Sequence, residues 1–444
     1  MLHVMKHHRL FLFLSCLALA GASPPSTFAA AKPNILLIMA DDVGTDAIGC
    51  YGGQSYPTPH IDALAQGGMK FHHGYAMPVC HPSRICLMTG RYPFRFGPEG
   101  SKWGDYPDAA EGRSIGDRMR QGGYATAVAG KWQLCMMKDD LLQPGRTGFD
   151  EWSLFGWHEG GRFHDPFIYQ NGTLRDDTAG EYGPDLYVDF LIDFMERSHK
   201  AHKPFFAYFP MALCHDVTDD LKGRHVAYSK NGRWMTYAEM ISSMDDMIGR
   251  LVSALKRIGV RENTLIIFTT DNGTAGASYL YVDEQGKMIR SKVWSIRDGE
   301  IVRGGKGRYD DTGTRVPLIA NWPGRIQPGS EVHDMVDLTD YLPTIADVAG
   351  LPDDGVKRDG ISFAPVLFGK KRIPQRPWIY VDLRGRRCVR SPDWKLYDDG
   401  RFYDLKKDPT EQSPIRRDQL KGEAVAARAK LAAALGKLKG PLQP

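Results

Sequence analysis

The chain has 444 residues, about three times a usual single domain, which suits one large α/β domain plus a smaller one. Hydrophobic residues make up 42% and charged residues 25%, which excludes a disordered or fibrous protein. The 57 Lys and Arg against 53 Asp and Glu leave a formal charge of +4, too balanced for the dense basic face that nucleic acid requires, so no nucleic-acid partner is expected.

Lys6 and Arg9 precede the apolar run Leu10–Ala20, and small residues follow through Ala31. This is the layout of a secretory signal, so residues 1–31 are expected to direct export and to be removed, leaving a periplasmic or secreted protein. The run is shorter than the ~20 apolar residues that cross a bilayer, and no later stretch is long enough, so no stable membrane insertion is expected. Seven cysteines occur: Cys16, Cys50, Cys80, Cys86, Cys135, Cys214 and Cys388. None forms a C-x-x-C pair, so a zinc site is not indicated. The six left after export could carry disulfides, but their spacing does not pair them.

Asn34–Met39 is a short apolar run ending in Asp41-Asp42 and reads as a buried strand with two carboxylates at its C-terminal end. Ile115–Gln121 reads as a helix, Ala125–Ala129 as a strand, Asp185–His199 as a helix and Phe205–Phe209 as a strand. Tyr237–Ile258 has apolar residues at helical spacing and runs into Gly259, a C-cap. Thr264–Phe268 is a strand that delivers Asp271 and Asn272 to its end, Pro317–Ala320 is strand-like, and Asp337–Ala349 is helical. The alternation predicts an α/β fold with a large, mostly parallel sheet and helices on both faces. Ligands bind beyond the carboxyl ends of such strands, where both acidic pairs fall. From residue 373 short strand-like runs and the helix Glu423–Leu438 predict a small C-terminal antiparallel domain, so the expected division is 1–31, 32–372 and 373–444.

Asp41-Asp42 and Asp271-Asn272 offer hard oxygen ligands from two strand ends, a donor set that suits Ca²⁺ once further groups complete it. Each pair alone suits a helix cap or a solvated turn better than a metal. In Cys80-His81-Pro82-Ser83-Arg84, Pro82 suits the first turn of a helix over Ser83–Thr89 that stops at Gly90. Cys80 would then sit at a helix N-terminus, where amide dipoles favour an anion, with Arg84 one turn on.

Cys80-His81-Pro82-Ser83-Arg84, continued by Leu87-Met88-Thr89-Gly90-Arg91, resembles the C-x-P-S-R signature of the sulfatase family. Further blocks resemble that family in order: Pro33 to Asp42, Gly49-Cys50-Tyr51-Gly52, Thr58 to Asp62, Gly130-Lys131-Trp132, Thr270-Asp271-Asn272-Gly273, Gly305-Lys306-Gly307 with Arg315-Val316-Pro317, Trp394-Lys395-Leu396 and Tyr403-Asp404-Leu405. The resemblance implies an alkaline-phosphatase-like fold and sulfate-ester hydrolysis, with Cys80 oxidised to formylglycine, whose hydrate is the nucleophile. It implies one Ca²⁺ held by Asp41, Asp42, Asp271, Asn272 and the modified Cys80. Arg84 and Lys131 would hold the formylglycine, and Lys306 and His215 would face the sulfate, one of them protonating the leaving alcohol. The implied partners are a sulfated small molecule or glycan and the host's formylglycine-generating machinery.

One position departs from the pattern. The family usually reads Gly-Lys-Trp-His-Leu-Gly, whereas this chain has Gln133 where the histidine stands. That histidine takes a proton during sulfate release, and glutamine cannot accept one at neutral pH. Another base, such as Asp42 or a metal-bound hydroxide, must serve, or release is slow. Two alternatives stand beside the sulfatase reading: a phosphate or phosphonate ester hydrolase of the same superfamily, and a weakly catalytic sulfated-glycan-binding protein. Trp152, Trp157, His158 and His164 lie in an aromatic stretch that would either stack sugar rings or form a packed wall.

Overall fold

The computed structural model describes residues 32–102, 104–107, 110–157, 159–216, 236–282, 285, 288–372 and 375–438. The expected signal segment, with Cys16, and His158 lie outside them. Eight strands come first: β1 (Asn34–Ala40), β2 (Met69–Tyr75), β3 (Ala125–Gly130), β4 (Glu151–Phe155), β5 (Ile168–Gln170), β6 (Thr173–Leu174), β7 (Phe205–Pro210) and β8 (Thr264–Thr270). Two hairpins follow, β9 (Ala277–Val282) with β10 (Met288–Lys292), and β11 (Trp294–Arg297) with β12 (Glu300–Arg303). Then come β13 (Arg315–Asn321) and β14 (Ser330–Asp337).

These strands build a ten-stranded sheet in the order β14-β2-β13-β8-β1-β7-β3-β4-β5-β6. The stretch from β8 through β1, β7 and β3 to β4 is parallel throughout. Only β13, β5 and β6 pair antiparallel to their sheet neighbours. The sheet is therefore mostly parallel, as the alternation of elements predicts. Side chains of β1 alternate between two cores: Ile35, Leu37 and Met39 enter one, and Leu36, Ile38 and Ala40 enter the other. That burial on both faces explains why β1 and β8 are continuous apolar runs.

Helices cover both faces. Tyr237–Ile258 starts at a capping box between Thr236 and Glu239 and ends at Gly259, whose φ of 84° only glycine adopts at little cost. The helix carrying Cys80 runs over Cys80–Thr89, three residues earlier than Pro82 suggests, with every residue buried. The Ser83 hydroxyl accepts the Met77 N–H at 3.0 Å, which ties the entry of the chain to the first turn. Asp337–Ala349 is a short 3-10 turn, Leu338–Asp340, followed by the helix Tyr341–Val348. A separate four-stranded antiparallel sheet comprises β15 (Ile379–Leu383), β16 (Arg386–Arg390), β17 (Trp394–Tyr397) and β18 (Phe402–Asp404), with the helix Glu423–Lys437 packed on it. All six cysteines from Cys50 to Cys388 are free thiols. Among the described residues no helix is long and apolar enough to cross a membrane.

Candidate active site

Strand register brings the acidic pairs together. Ala40 of β1 faces Thr270 of β8, so Asp41 and Asp271 leave adjacent parallel strands side by side. The Asp271 N–H donates to the Ala40 carbonyl at 3.2 Å, and the Asp41 N–H to the Leu213 carbonyl at 2.9 Å. Asp42 turns back with φ 61°, a left-handed conformation that aspartate tolerates better than most residues. Lys131 follows β3 and is anchored by its N–H to the Pro210 carbonyl at 2.7 Å. All of these groups are at most 3% exposed.

Arg84 joins the cluster from the helix Cys80–Thr89. Its Nη1 donates to the Lys131 carbonyl at 2.7 Å and its Nη2 to Asp271 Oδ2 at 2.8 Å. Lys131 Nζ donates to Asp41 Oδ2. Lys306 Nζ donates to Asp42 Oδ2 at 2.8 Å, from a loop held by the Gly307 N–H on the Pro78 carbonyl. Asn272 Nδ2 donates to Asp42 Oδ1 at 2.8 Å. His215 Nε2 stands 3.9 Å from Asp42 Oδ2. The structure thus gathers nine of the ten sequence-derived residues through direct contacts or shared ligand geometry: Asp41, Asp42, Cys80, Arg84, Lys131, His215, Asp271, Asn272 and Lys306. The tenth, Gln133, is tied to the cluster through His81, whose Nδ1 lies 2.9 Å from the Gln133 carbonyl. Its backbone has φ 60°, and its side-chain oxygen is buried without a hydrogen-bond partner.

The charges are unequal in their comfort. Burial opposes ionisation of Asp41, but Lys131, His215, Arg84 and Lys306 together hold it below the usual carboxylate range. Burial, reinforced by the negative charge of Asp41, pushes Asp271 up despite Arg84. Two buried carboxylates this close resist joint ionisation unless a further cation sits between them. Ligand atoms of Asp41, Cys80 and Asp271 lie within 4.8 Å of one another. Asp41 Oδ1 and Asn272 Oδ1 are buried with no hydrogen-bond partner. Hard oxygens, left-over lone pairs and repelling carboxylates fit a divalent cation such as Ca²⁺.

Lys306 is held protonated, because Asp42 and other negative groups outweigh the burial that opposes its charge. His215 is pushed the other way by burial and by Lys306 and Lys131. Arg162 is a residue that no motif announces. Its guanidinium stacks over Trp157 at 4.6 Å and Phe155 at 4.7 Å, and its Nη1 lies 3.4 Å from His215 Nδ1. Trp152 and Trp157 are themselves buried, so they are packed wall rather than exposed stacking surfaces.

The sulfatase family model matches residues 33–351. The chain belongs to the sulfatase family. The C-terminal model of N-sulphoglucosamine sulphohydrolase also matches residues 306–439. Human arylsulfatase A is 30% identical over 401 residues, covering 83% of this chain and 75% of that protein. Dog N-acetylgalactosamine-6-sulfatase is 30% identical over 408 residues, covering 84% of this chain and 72% of that one. A crystal structure of Ps i-CgsB in complex with k-i-k-neocarrahexaose superposes with a TM-score of 0.70 at 25% identity, covering 91% of this chain and 92% of the other. The fold is alkaline-phosphatase-like, and the protein is a sulfuric ester hydrolase.

Proposed function

We propose that this sulfatase is exported, carries formylglycine at Cys80, binds one Ca²⁺ and acts on sulfated carbohydrates. The observation that carries the reading is the buried cluster of Asp41, Asp271, Arg84 and Lys131 beside Cys80, with Asp41 Oδ1 and Asn272 Oδ1 left unpartnered for a cation. Formylglycine at Cys80 would supply a hydrated aldehyde as nucleophile, which a thiol cannot. Asp41, Asp42, Asp271 and Asn272 would hold Ca²⁺, which supplies Lewis-acid polarisation of a sulfate oxygen.

The chain's own residues account for the rest. Arg84, one turn after Cys80, ties its helix to Asp271 and to the Lys131 carbonyl, which fixes Cys80 against the strand ends. Lys131 and Lys306 bring positive charge to a site whose substrate is an anion, where a dry and preorganised cleft makes each cation count for more. Lys306 keeps a proton at Nζ, and that proton is available to the leaving alkoxide oxygen. His215, kept neutral, serves as a hydrogen-bonding partner for the sulfate. Gln133 can hydrogen-bond but cannot accept a proton at neutral pH, so another base, such as Asp42, would take that duty.

The name of N-acetylgalactosamine-6-sulfatase and the neocarrahexaose complex of Ps i-CgsB support a carbohydrate substrate. Residues 1–31 support export, residues 32–372 would form the catalytic domain and 373–444 the C-terminal one, and a host formylglycine-generating machinery is the implied partner. The test is turnover of matched sulfate and phosphate esters of one alcohol. The reading expects hydrolysis of the sulfate ester to dominate; a faster phosphate ester would overturn it.

A further inference from the structure

A polar cavity of about 300 Å³ is lined by Thr45, Cys50, Tyr51, Gly52, Lys70, His72, Arg297, Asp298 and Arg315. None of the catalytic cluster's residues lines it. Lys70 and His72 flank Phe71 on β2, and Phe71 enters the same core as Cys86 of the Cys80 helix. Their side chains therefore point to the opposite face of the sheet, where Cys50 and Tyr51 pack.

Three cations line this space against the single carboxylate of Asp298. Backbone and hydroxyl oxygens fix them. Arg315 Nε donates to the His72 carbonyl at 2.9 Å, Arg297 Nη1 to Thr45 Oγ1 at 3.0 Å, and Lys70 Nζ to the Cys50 carbonyl at 3.0 Å. Lys70 shares Glu331 with His72, whereas among the described residues no carboxylate pairs with Arg315 within salt-bridge distance. Arg297 Nε also stands 3.9 Å from Asp298 Oδ2, a loose approach that still leaves donors of both rigid forks for a ligand.

The mounting of Arg297 is specific. It precedes the two-residue turn Asp298-Gly299, with φ 53° and 83°, that closes β11 onto β12. The Asp298 N–H donates to the Gly52 carbonyl at 3.1 Å. Gly52, which accepts that bond, has φ 89°, a left-handed conformation that glycine adopts at little cost.

We propose that this cavity binds a sulfate group, free or ester-linked, through Arg297, Arg315 and Lys70. The choice of sulfate among oxyanions rests on the proposed function; the cation geometry does not. The test is equilibrium dialysis of radiolabelled inorganic sulfate with the full chain carrying Lys306→Met, which disables the catalytic cleft. One saturable site per chain is expected to persist there. Adding Arg297→Gln or Arg315→Gln should weaken it about tenfold each, the scale of one charge-assisted hydrogen bond, with melting curves showing that both variants fold. Absence of saturable binding, or unchanged affinity in both arginine variants, overturns the proposal. Competition by a monosulfated disaccharide as strong as by inorganic sulfate assigns the site to ester sulfate; competition by the free ion alone assigns it to inorganic sulfate, and either upholds it. Binding that persists in a protein inert towards every sulfate ester would count against the catalytic reading alone.

Discussion

Lys306 Nζ and Asp42 Oδ2 meet at 2.8 Å although 264 positions separate them in the chain. The contact closes the catalytic cluster, because Lys306 comes from the loop after the two hairpins and Asp42 from the end of β1. Asp42 keeps Lys306 charged, and the lysine side chain, 23% exposed, stands at the edge of an otherwise buried cluster. Lys306→Met should lower kcat on an aryl sulfate by about 10²–10³-fold, the usual cost of removing one electrostatic donor. Steady-state kinetics check this; a variant within a factor of two of the parent contradicts the assigned role.

Arg84 is a structural as well as an electrostatic tie. Arg84→Ala would leave Asp271 buried without its partner, a change that costs about 3–5 kcal/mol. Arg84→Lys keeps the charge but cannot reach both the Lys131 carbonyl and Asp271 with one fork. Urea unfolding should rank the parent first, the lysine variant second and the alanine variant last.

Calcium should stabilise the fold. An ion bound only by the native state at a hundredfold excess over its Kd adds about 2.7 kcal/mol. Chelation should therefore lower Tm and abolish activity together, and Asp41→Asn should blunt both responses to added calcium. Calorimetry with elemental analysis of the chelated protein reads this. An ion-free protein that keeps full activity contradicts it.

Gln133 should leave a kinetic mark. Release of sulfate needs a proton acceptor, and an amide offers none. Rapid-mixing assays of the parent should show a burst of leaving alcohol before slower steady turnover. Gln133→His should raise the steady rate more than the burst, since histidine tolerates the left-handed backbone at this position. No burst and no gain would mean that another base already serves.

His73 on β2 supplies a pH dependence independent of the active site. Burial, with Arg315 and Arg390 nearby, pushes its imidazole from 6.5 down to about 4. The unfolded chain then binds more protons than the native one between those values, so stability rises with pH across that window. The contribution is present above about pH 6.5 and is lost as pH falls through about 4. His73→Gln should flatten this part of the stability profile, measured by urea midpoints at stepped pH.

Much of this was legible in the sequence, for identifiable reasons. β1 and β8 are parallel strands buried on both faces, so they read as unbroken apolar runs that end in Asp41 and Asp271. β2 and β14 gave no such signal, because Lys70, His72, Glu331 and His333 interrupt them and satisfy one another across the strands. The sequence places the start of the Cys80 helix three residues late, because Pro82 suits a first turn at several positions and the Ser83–Met77 bond that anchors the turn is invisible in one dimension. Arg162 has no motif; only tertiary packing lays it between Trp157 and His215. Burial likewise decides Trp152 and Trp157, whose aromatic spacing suits a sugar platform and a core equally.

The central claim is that Cys80 works as formylglycine, and peptide mass spectrometry of active protein tests it most directly. The peptide spanning Cys80 should carry the mass of the aldehyde in proportion to specific activity, and Cys80→Ala should fold yet turn over nothing. Fully active protein whose Cys80 peptide is entirely the unmodified thiol would contradict the account.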